Sequence, residues 1–265
     1  MQSAFLIGPY LGELSWEILR LAPFVAHMKK VYEKESKIIV LTRSSRFDLH
    51  GLNADVLVPL VLQNDREALH DGHGIKGFDI SDYDKLVKEV SKRISLKYKI
   101  EKHFYFELSE PFRRVKFQTM RGFNRAKLYY NFRPRPGNKR TIDLLVKDIT
   151  QMIYVDTNIE SEQEKELLKN YAVFDNSFFE KVQVDILPDT SFLGCCMELM
   201  KRCKFVIGSL ENPVSLLALM LGIPLMIISE KIIREDEVKM LNPVHTPIIH
   251  CPNLERGLTI YENNF

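Results

Sequence analysis

The segment from Cys203 to Ile228, CKFVIGSLENPVSLLALMLGIPLMII, constrains the fold of this chain more than any other. Its central part, Pro213–Leu221, is apolar on almost every face, as is typical of a helix buried on all sides. Asn212 is a favoured N-cap residue, and proline is favoured at the first helical position. Gly222 suits the end of the helix. The sequence therefore predicts one buried helix with defined ends.

Short apolar runs flank this helix on both sides. Lys204–Ile207 and Leu225–Ile228 are β-prone, and such runs are typical of central parallel strands. The segment therefore predicts a βαβ unit. Open α/β sheets bind ligands where a helix begins after the carboxyl end of a strand. The backbone N–H groups near Val214 and Ser215 would favour an anion such as a diphosphate at this point.

The same turn contains Gly208 and the polar residues Ser209, Glu211, Asn212 and Ser215, all of which are candidates for binding a donor. A carboxylate there could accept hydrogen bonds from ribose hydroxyls, and the hydroxyl and amide groups could bind other parts of a nucleotide. The alternative is that these residues only cap a buried helix.

The rest of the chain alternates between strand and helix patterns. Ala4–Ile7, a helix from Leu14 to about Lys34 and Lys37–Leu41 form an N-terminal βαβ unit. Further strands are predicted at Asp55–Leu60, His103–Glu107, Thr141–Val146, Val182–Leu187 and Ile248–Ile249. Helices are predicted from Ser81 or Asp82 to about Leu96, over Glu160–Asn170 and over Ser191–Arg202. This alternation predicts two α/β domains with parallel sheets, joined by the turn-rich segment Arg133–Lys139.

The stretch from Phe112 to Arg140 is strongly basic. It contains ten Lys or Arg residues and no Asp or Glu, with aromatic residues interspersed among them. Basic side chains next to aromatic rings favour contact with a phosphate backbone and stacking on bases. The alternative is a solvated charged face with aromatic residues packed in the core.

Three segments together resemble one family of enzymes. VIGSLENPVSLLALMLGIPLMII resembles the donor-site segment of GT-B glycosyltransferases, especially the heptosyltransferase-like group. LIGPYLGELSWEILR resembles the Gly-Glu-x-x-Trp-Glu turn of a group of bacterial and phage glycosyltransferases. LNPVHTPII resembles their Asn-Pro-x-x-Thr-Pro segment.

The resemblance implies an α/β fold with two Rossmann-like domains facing a cleft. Residues 1–135 would bind the acceptor, and residues 136–265 would bind a nucleotide-diphosphate sugar. The enzyme would transfer the sugar to a hydroxyl group, with no metal and no cofactor besides the donor. Glu13 would be the general base. Alternatively, Glu13 stabilises the start of the first helix, where negative charge is favourable.

The resemblance also suggests which residues bind each substrate. Lys147, just past the predicted strand Thr141–Val146, would meet the donor phosphates together with the Gly208–Ser215 turn. The acceptor would lie near Gly12 and Trp16, although Trp16 could instead pack in the core. A hydroxymethylated base in DNA would be a phage-type acceptor, held by the basic stretch through Arg113, Arg114, Arg121 and Arg125. A saccharide or a lipid-linked acceptor is the other possibility.

Composition excludes several classes of protein. None of the four cysteines forms a Cys-x-x-Cys pair, and no Cys and His residues have zinc-site spacing. No apolar run reaches the length of about 18 residues that a membrane span needs. Residues 1–10 lack the pattern of a secretory signal. We therefore expect a cytoplasmic protein, and the sequence does not indicate an oligomeric state.

Two other functions fit the same residues. A non-enzymatic module that binds nucleic acid or nucleotides would use the basic stretch without sugar transfer. A hydrolase or epimerase acting on nucleotide-sugars would use the same two-domain frame and would consume the donor without an acceptor.

Overall fold

The computed structural model of the protein describes residues 1–10, 14–60, 80–105, 130–157, 159, 161–184, 187 and 189–265. The chain divides into two compact units, Met1–Pro134 and Arg135–Phe265. Each unit contains its own sheet, and the strands that pair within each sheet are parallel.

The first unit has a parallel sheet with strand order β3-β2-β1-β4. Its strands are β1 (Gln2–Ile7), β2 (Lys37–Arg43), β3 (Val56–Leu60) and β4 (Tyr98–Phe104). Its helices are α1 (Leu14–Trp16), a π-helical segment (Glu17–Leu21), α2 (Ala22–Tyr32), α3 (Phe47–His50) and α4 (Ile80–Ser95). Short 3-10 turns at Ser44–Arg46 and Gly51–Asn53 flank α3. The apolar faces of β1, β2 and α2 form the centre of the core.

The second unit has a parallel sheet with strand order β6-β5-β7-β8-β9. Its strands are β5 (Met152–Val155), β6 (Ala172–Phe174), β7 (Val206–Ile207), β8 (Leu225–Ile228) and β9 (Ile248–Cys251). Its helices are α5 (Pro136–Leu145), α6 (Glu162–Leu167), α7 (Asn176–Val182), α8 (Phe192–Met200), α9 (Pro213–Leu221), α10 (Glu235–Leu241) and α11 (Leu254–Asn264).

The helix predicted at Pro213–Leu221 is confirmed as α9. The side chain of Asn212 accepts a hydrogen bond from the backbone N–H of Val214, which caps the start of the helix. Gly222 ends the helix in the left-handed conformation, with φ of 79°. The following strand is confirmed with the predicted bounds, Leu225–Ile228. Local sequence signals were sufficient to predict this helix, because the N-cap residue, the apolar run and the glycine after the helix all agree.

Two of the predicted strands in the second unit are wrong. Thr141–Val146 lies in α5 and its end, so the first strand of the second sheet is β5, several residues later. The predicted strand Val182–Leu187 is not found over its described residues, because Val182 ends α7 and Gln183 is left-handed, while Asp185 and Ile186 lie outside the described residues. β6 and the C-terminal helix α11 were not predicted.

The correction at α5 has a physical reason in long-range packing. α5 begins with Pro136 at its first position, and it buries Asn138, Ile142 and Val146 at spacings of four residues. Leu144, which a buried strand would enclose, is 82% exposed. The buried amide of Asn138 accepts a hydrogen bond from the backbone N–H of Ser191, just ahead of α8. The sequence alone gave no sign of this contact.

Most predicted elements of the first unit are confirmed with shifted ends. β1, β2, β3 and α4 match the predicted positions to within a few residues. β4 covers Tyr98–Phe104, whereas the prediction was His103–Glu107, whose last two residues lie outside the described part of the chain. Within the described residues, no helix is both long enough and apolar enough to span a membrane.

Candidate functional site

The carboxyl edge of the second sheet collects polar side chains from three neighbouring strands. β5, β7 and β8 are adjacent and parallel, so their carboxyl ends meet at one edge. Asp156 follows β5, Gly208 and Ser209 follow β7, and Ser229 follows β8. This edge is where an open α/β sheet binds its ligand.

The Ser215 hydroxyl holds this edge together. It donates a hydrogen bond to Oδ2 of Asp156 at 2.8 Å and accepts one from the backbone N–H of Ser209 at 3.2 Å. Ser215 is fully buried. A Cβ atom added to Gly208 would lie 2.0 Å from the Ser215 oxygen, so only glycine fits there. The predicted residues Gly208, Ser209 and Ser215 therefore lie together, and Ser215 faces the interior of the turn.

One of the backbone donors expected at the start of α9 is already bonded. The N–H of Val214 donates to the Asn212 side chain at 3.0 Å. Less hydrogen-bonding capacity is therefore available for an anion than the sequence indicated. The exposed side chain of Glu211 and the half-buried Asn212 form the rim of the turn.

The prediction that Lys147 follows a strand is wrong. Lys147 lies between α5 and β5, ahead of the amino end of β5. It borders a surface cavity of about 520 Å³ together with Asp143, Val146, Met152 and Arg202. Lys147 therefore lies at the edge of the sheet opposite the carboxyl ends of the strands, where open α/β sheets bind ligands.

Lys231, unlike Lys147, follows the carboxyl end of a strand in this sheet. It is the third residue after β8, and β8 is the neighbour of β7. Among the residues described in the second unit, Lys231 is the one Lys or Arg that falls within three residues after the end of a strand.

Sequence reasoning missed both Asp156 and Lys231. Asp156 follows MIYV, a short apolar run typical of a buried parallel strand. That run identifies the residue once the strand is assigned to Met152–Val155 and not to Thr141–Val146. Lys231 follows a strand that was predicted correctly, so its position at the carboxyl end was available from the sequence.

The Asn-Pro-x-x-Thr-Pro segment makes local contacts at the far end of α9. The Asn242 amide donates to the backbone oxygen of Thr246 at 2.7 Å and accepts from its N–H at 3.0 Å. The Thr246 hydroxyl donates to the carbonyl of Leu219 in the last turn of α9. The segment precedes the amino end of β9, so these contacts support the fold at the edge opposite the candidate site.

Most of the predicted acceptor residues lie outside the described residues. These are the proposed base Glu13, its neighbour Gly12, and Arg113, Arg114, Arg121 and Arg125. Trp16 is described: it ends α1, is half-buried and packs against the core of the first unit. Part of the Trp16 side chain therefore packs in the core, which was the alternative to a role in binding the acceptor.

Glu17, next to Trp16, is the centre of a fully buried polar network. Its carboxylate accepts hydrogen bonds from the Thr42 hydroxyl at 2.7 Å and from Nη1 of Arg46 at 2.9 Å. Nε2 of His50 lies 2.7 Å from the same carboxylate. Burial alone would raise the pKa of Glu17, but the His50 hydrogen bond and the Arg46 charge outweigh it, so this pKa is lowered below its usual value of 4.5.

Comparison with solved structures finds matches that cover the whole chain, among them the following two. The chain resembles the glycosyl transferase family 9 structure from Veillonella parvula, with 12% identity and a TM-score of 0.52, over 100% of this chain and 92% of that one. It also resembles the E. coli heptosyltransferase WaaC with ADP, with 10% identity and a TM-score of 0.51, over 100% of both chains. The fold is GT-B-like.

The GT-B-like fold agrees with the two α/β units and parallel sheets predicted from the sequence. At these identities the likeness concerns the fold alone. No protein-family profile matches the chain, and no curated protein sequence matches it either. Within the described ranges, no group of three or more His, Cys, Asp or Glu side chains is arranged to hold a metal ion.

Proposed function

We propose that this protein is a glycosyltransferase that moves a sugar from a nucleotide-diphosphate sugar to a hydroxyl acceptor. The observation that carries the proposal is the GT-B-like fold over the full length of the chain, shared with a glycosyl transferase and a heptosyltransferase. The three sequence segments that resemble glycosyltransferases support the same function.

In this proposal the donor binds at the carboxyl edge of the second sheet. The start of α9 carries the positive end of a helix dipole, roughly half a charge, which favours the diphosphate. Lys231 supplies a full positive charge at the same edge. In this proposal its ammonium group contacts the diphosphate and stabilises it as it leaves. Glu211, exposed on the rim, accepts hydrogen bonds from sugar or ribose hydroxyls.

The acceptor hydroxyl is activated by Glu13 as the general base in this proposal. A carboxylate that takes the hydroxyl proton in the transition state typically contributes a factor of about 10² to 10⁴ to the rate. The proposed reaction needs no metal ion and no cofactor, because helix α9 and Lys231 together supply the positive charge.

The acceptor we propose is a hydroxymethylated base in DNA. The basic stretch from Phe112 to Arg140 supports it, since ten cations without a carboxylate suit a phosphate backbone. An enzyme that modifies a base must also remove it from the stack, and this stretch has aromatic residues for stacking. A small saccharide acceptor would not need these charges.

The test is a turnover assay with a panel of nucleotide-sugars and two acceptors, a duplex containing hydroxymethylated bases and a mixture of saccharides. We expect one donor to be consumed only when an acceptor is present. Glu13→Gln should lower transfer at least about 100-fold and leave donor binding intact. Glu35→Gln, an exposed control, should change neither. Donor consumption without any acceptor would favour a hydrolase or epimerase.

The identity of the acceptor is tested separately. Replacing Arg113, Arg114, Arg121 and Arg125 with Gln should weaken the DNA acceptor and reduce the dependence of its binding on salt. The same variant should use a saccharide acceptor as well as the wild type does. Salt-sensitive DNA binding with no sugar transfer from any donor would contradict the proposal and favour a binding module.

A further inference from the structure

The Glu17 network joins two segments that leave the carboxyl edge of the first sheet. Glu17 lies on the helix that follows β1, whereas Thr42 is near the end of β2, and Arg46 and His50 follow it. All four side chains have 0% exposure. The network therefore fixes the helix start relative to the loop after β2 from inside the protein.

The chain departs from regular helix geometry to bury this carboxylate. Glu17–Leu21 is a π-helical segment, closed by a hydrogen bond from the N–H of Ala22 to the carbonyl of Glu17. Four of its five residues are buried: Glu17, Ile18, Leu19 and Leu21. A single π turn inside a helix is rare and is found often at functional sites.

The network contains a buried ion pair. The Glu17 carboxylate and the Arg46 guanidinium form the ion pair, and the Thr42 hydroxyl is a neutral donor. Nε2 of His50 is the donor to Glu17, because a carboxylate oxygen can only accept a hydrogen bond. A buried ion pair adds little net stability compared with apolar packing, but it can specify one conformation.

Trp16 is directly next to Glu17, and it is the only tryptophan in the chain. It is half-buried, so part of its ring packs on the core and the rest remains accessible. Any change in the conformation of the helix start would therefore alter the exposure of this ring.

We propose that Glu17 is a positioning residue for acceptor binding. Through Thr42, Arg46 and His50 it holds the helix start, and with it Trp16, in one orientation at the carboxyl edge of the first sheet. This inference rests on the proposed function for the identity of the ligand. The positioning itself can be measured without any ligand.

The most conservative test removes one hydrogen bond and keeps the ion pair. Thr42→Val removes the hydroxyl and preserves a β-branched side chain that suits β2. Thr42→Ser is the matched control because it keeps the donor. A second pair is His50→Leu, which removes the ring donor, and His50→Gln, whose amide can still donate to Glu17.

The first measurement is quenching of Trp16 fluorescence by acrylamide. Thr42→Val and His50→Leu should raise the quenching constant by about twofold or more, because the helix start opens locally. Thr42→Ser and His50→Gln should stay close to the wild type.

The second measurement is steady-state kinetics with the hydroxymethylated duplex. The disruptive variants should raise the acceptor KM about fivefold or more with an unchanged donor dissociation constant.

Val87→Ala in α4 controls for general destabilisation, since it creates a cavity in the core of the first unit outside the network. It should lower the melting temperature and leave Trp16 quenching unchanged. If Thr42→Val behaves like Val87→Ala in both quenching and KM, Glu17 has only a structural role and the inference is overturned. If the wild type transfers no sugar, the proposed function fails, but the quenching comparison still decides whether the network positions Trp16.

Discussion

Ser215 and Asp156 form a hydrogen bond of 2.8 Å that joins the first turn of α9 to the end of β5. The same hydroxyl accepts from the N–H of Ser209, so one side chain fixes both sides of the turn after β7. The proposed donor site depends on this turn. Its loss should therefore affect both stability and donor binding.

Ser215→Ala should destabilise the protein by about 2 kcal/mol, because a buried hydrogen bond to a charged group is lost and the Ser209 N–H loses its partner. Urea unfolding measures this change. Ser177→Ala is the control, because the Ser177 hydroxyl donates to Asp175 in an exposed hydrogen bond. Ser177→Ala should lower the free energy of unfolding by less than about 0.5 kcal/mol. Equal losses for the two variants would show that the Ser215 contact is weak.

Gly208→Ala should be more damaging than most glycine substitutions, because its Cβ would lie 2.0 Å from the Ser215 oxygen. We expect the variant to lose donor binding and several degrees of melting temperature. Adding Ser215→Ala to Gly208→Ala should recover part of the loss, since it removes the clashing atom. Fully additive losses in the double variant would contradict this explanation.

The sequence predicted the α9 region well because every signal there is local. Asn212 caps α9, the residues of α9 are apolar on almost every face, and Gly222 ends the helix with a positive φ. The candidate site was predicted less completely, because one misplaced strand put Lys147 at the carboxyl edge of the sheet, whereas it lies ahead of the amino end of β5. Thr141–Val146 has the composition of a strand, but the buried Asn138 and its contact with the N–H of Ser191 favour a helix.

The Glu17 network could not be predicted from sequence patterns. A glutamate one turn into a helix usually faces solvent, and only the folded structure brings Arg46 and His50 to it. The π-helical segment also breaks the regular spacing on which a helical pattern depends.

The lowered pKa of Glu17 predicts a pH dependence of stability. A carboxyl group with a lower pKa in the folded state stabilises the protein above its unfolded pKa, and this contribution is lost as pH falls through the folded value. The free energy of unfolding should therefore decrease as the pH falls below 4.5, the usual pKa of a glutamate side chain. Glu17→Gln should lower the free energy of unfolding by about 3 to 5 kcal/mol at pH 7, since it breaks the buried ion pair between Glu17 and Arg46.

The measurement is urea unfolding of both proteins at several pH values between about 7 and 3. Glu17→Gln should show a shallower decline toward acid than the wild type. Asp55→Asn is a useful comparison, because the pKa of Asp55 is also lowered: burial would raise it, but hydrogen bonds from Ile38 and Lys29 outweigh that effect. Parallel pH profiles for the wild type and Glu17→Gln would show that the Glu17 carboxylate does not contribute to this dependence.

Cys203 should be unreactive in the folded protein. Burial raises the pKa of its thiol to about 12, and the thiolate is the reactive form. All four cysteines are buried and free. Labelling with a thiol reagent at pH 8 should therefore be slow in buffer and complete in denaturant. Rapid labelling of Cys203 without denaturant would mean that the segment before β7 opens readily.

The central claim is that a nucleotide-sugar binds at the carboxyl edge of the second sheet, and thermal stability measured against a panel of such donors tests it most directly. The wild type should be stabilised selectively by one donor, by about 2.7 kcal/mol at a hundredfold excess over its dissociation constant. Lys231→Ala should weaken that donor about tenfold, and Lys147→Ala, at the opposite edge, should leave it unchanged. Stabilisation by no nucleotide, or a loss with Lys147→Ala and none with Lys231→Ala, would contradict the claim.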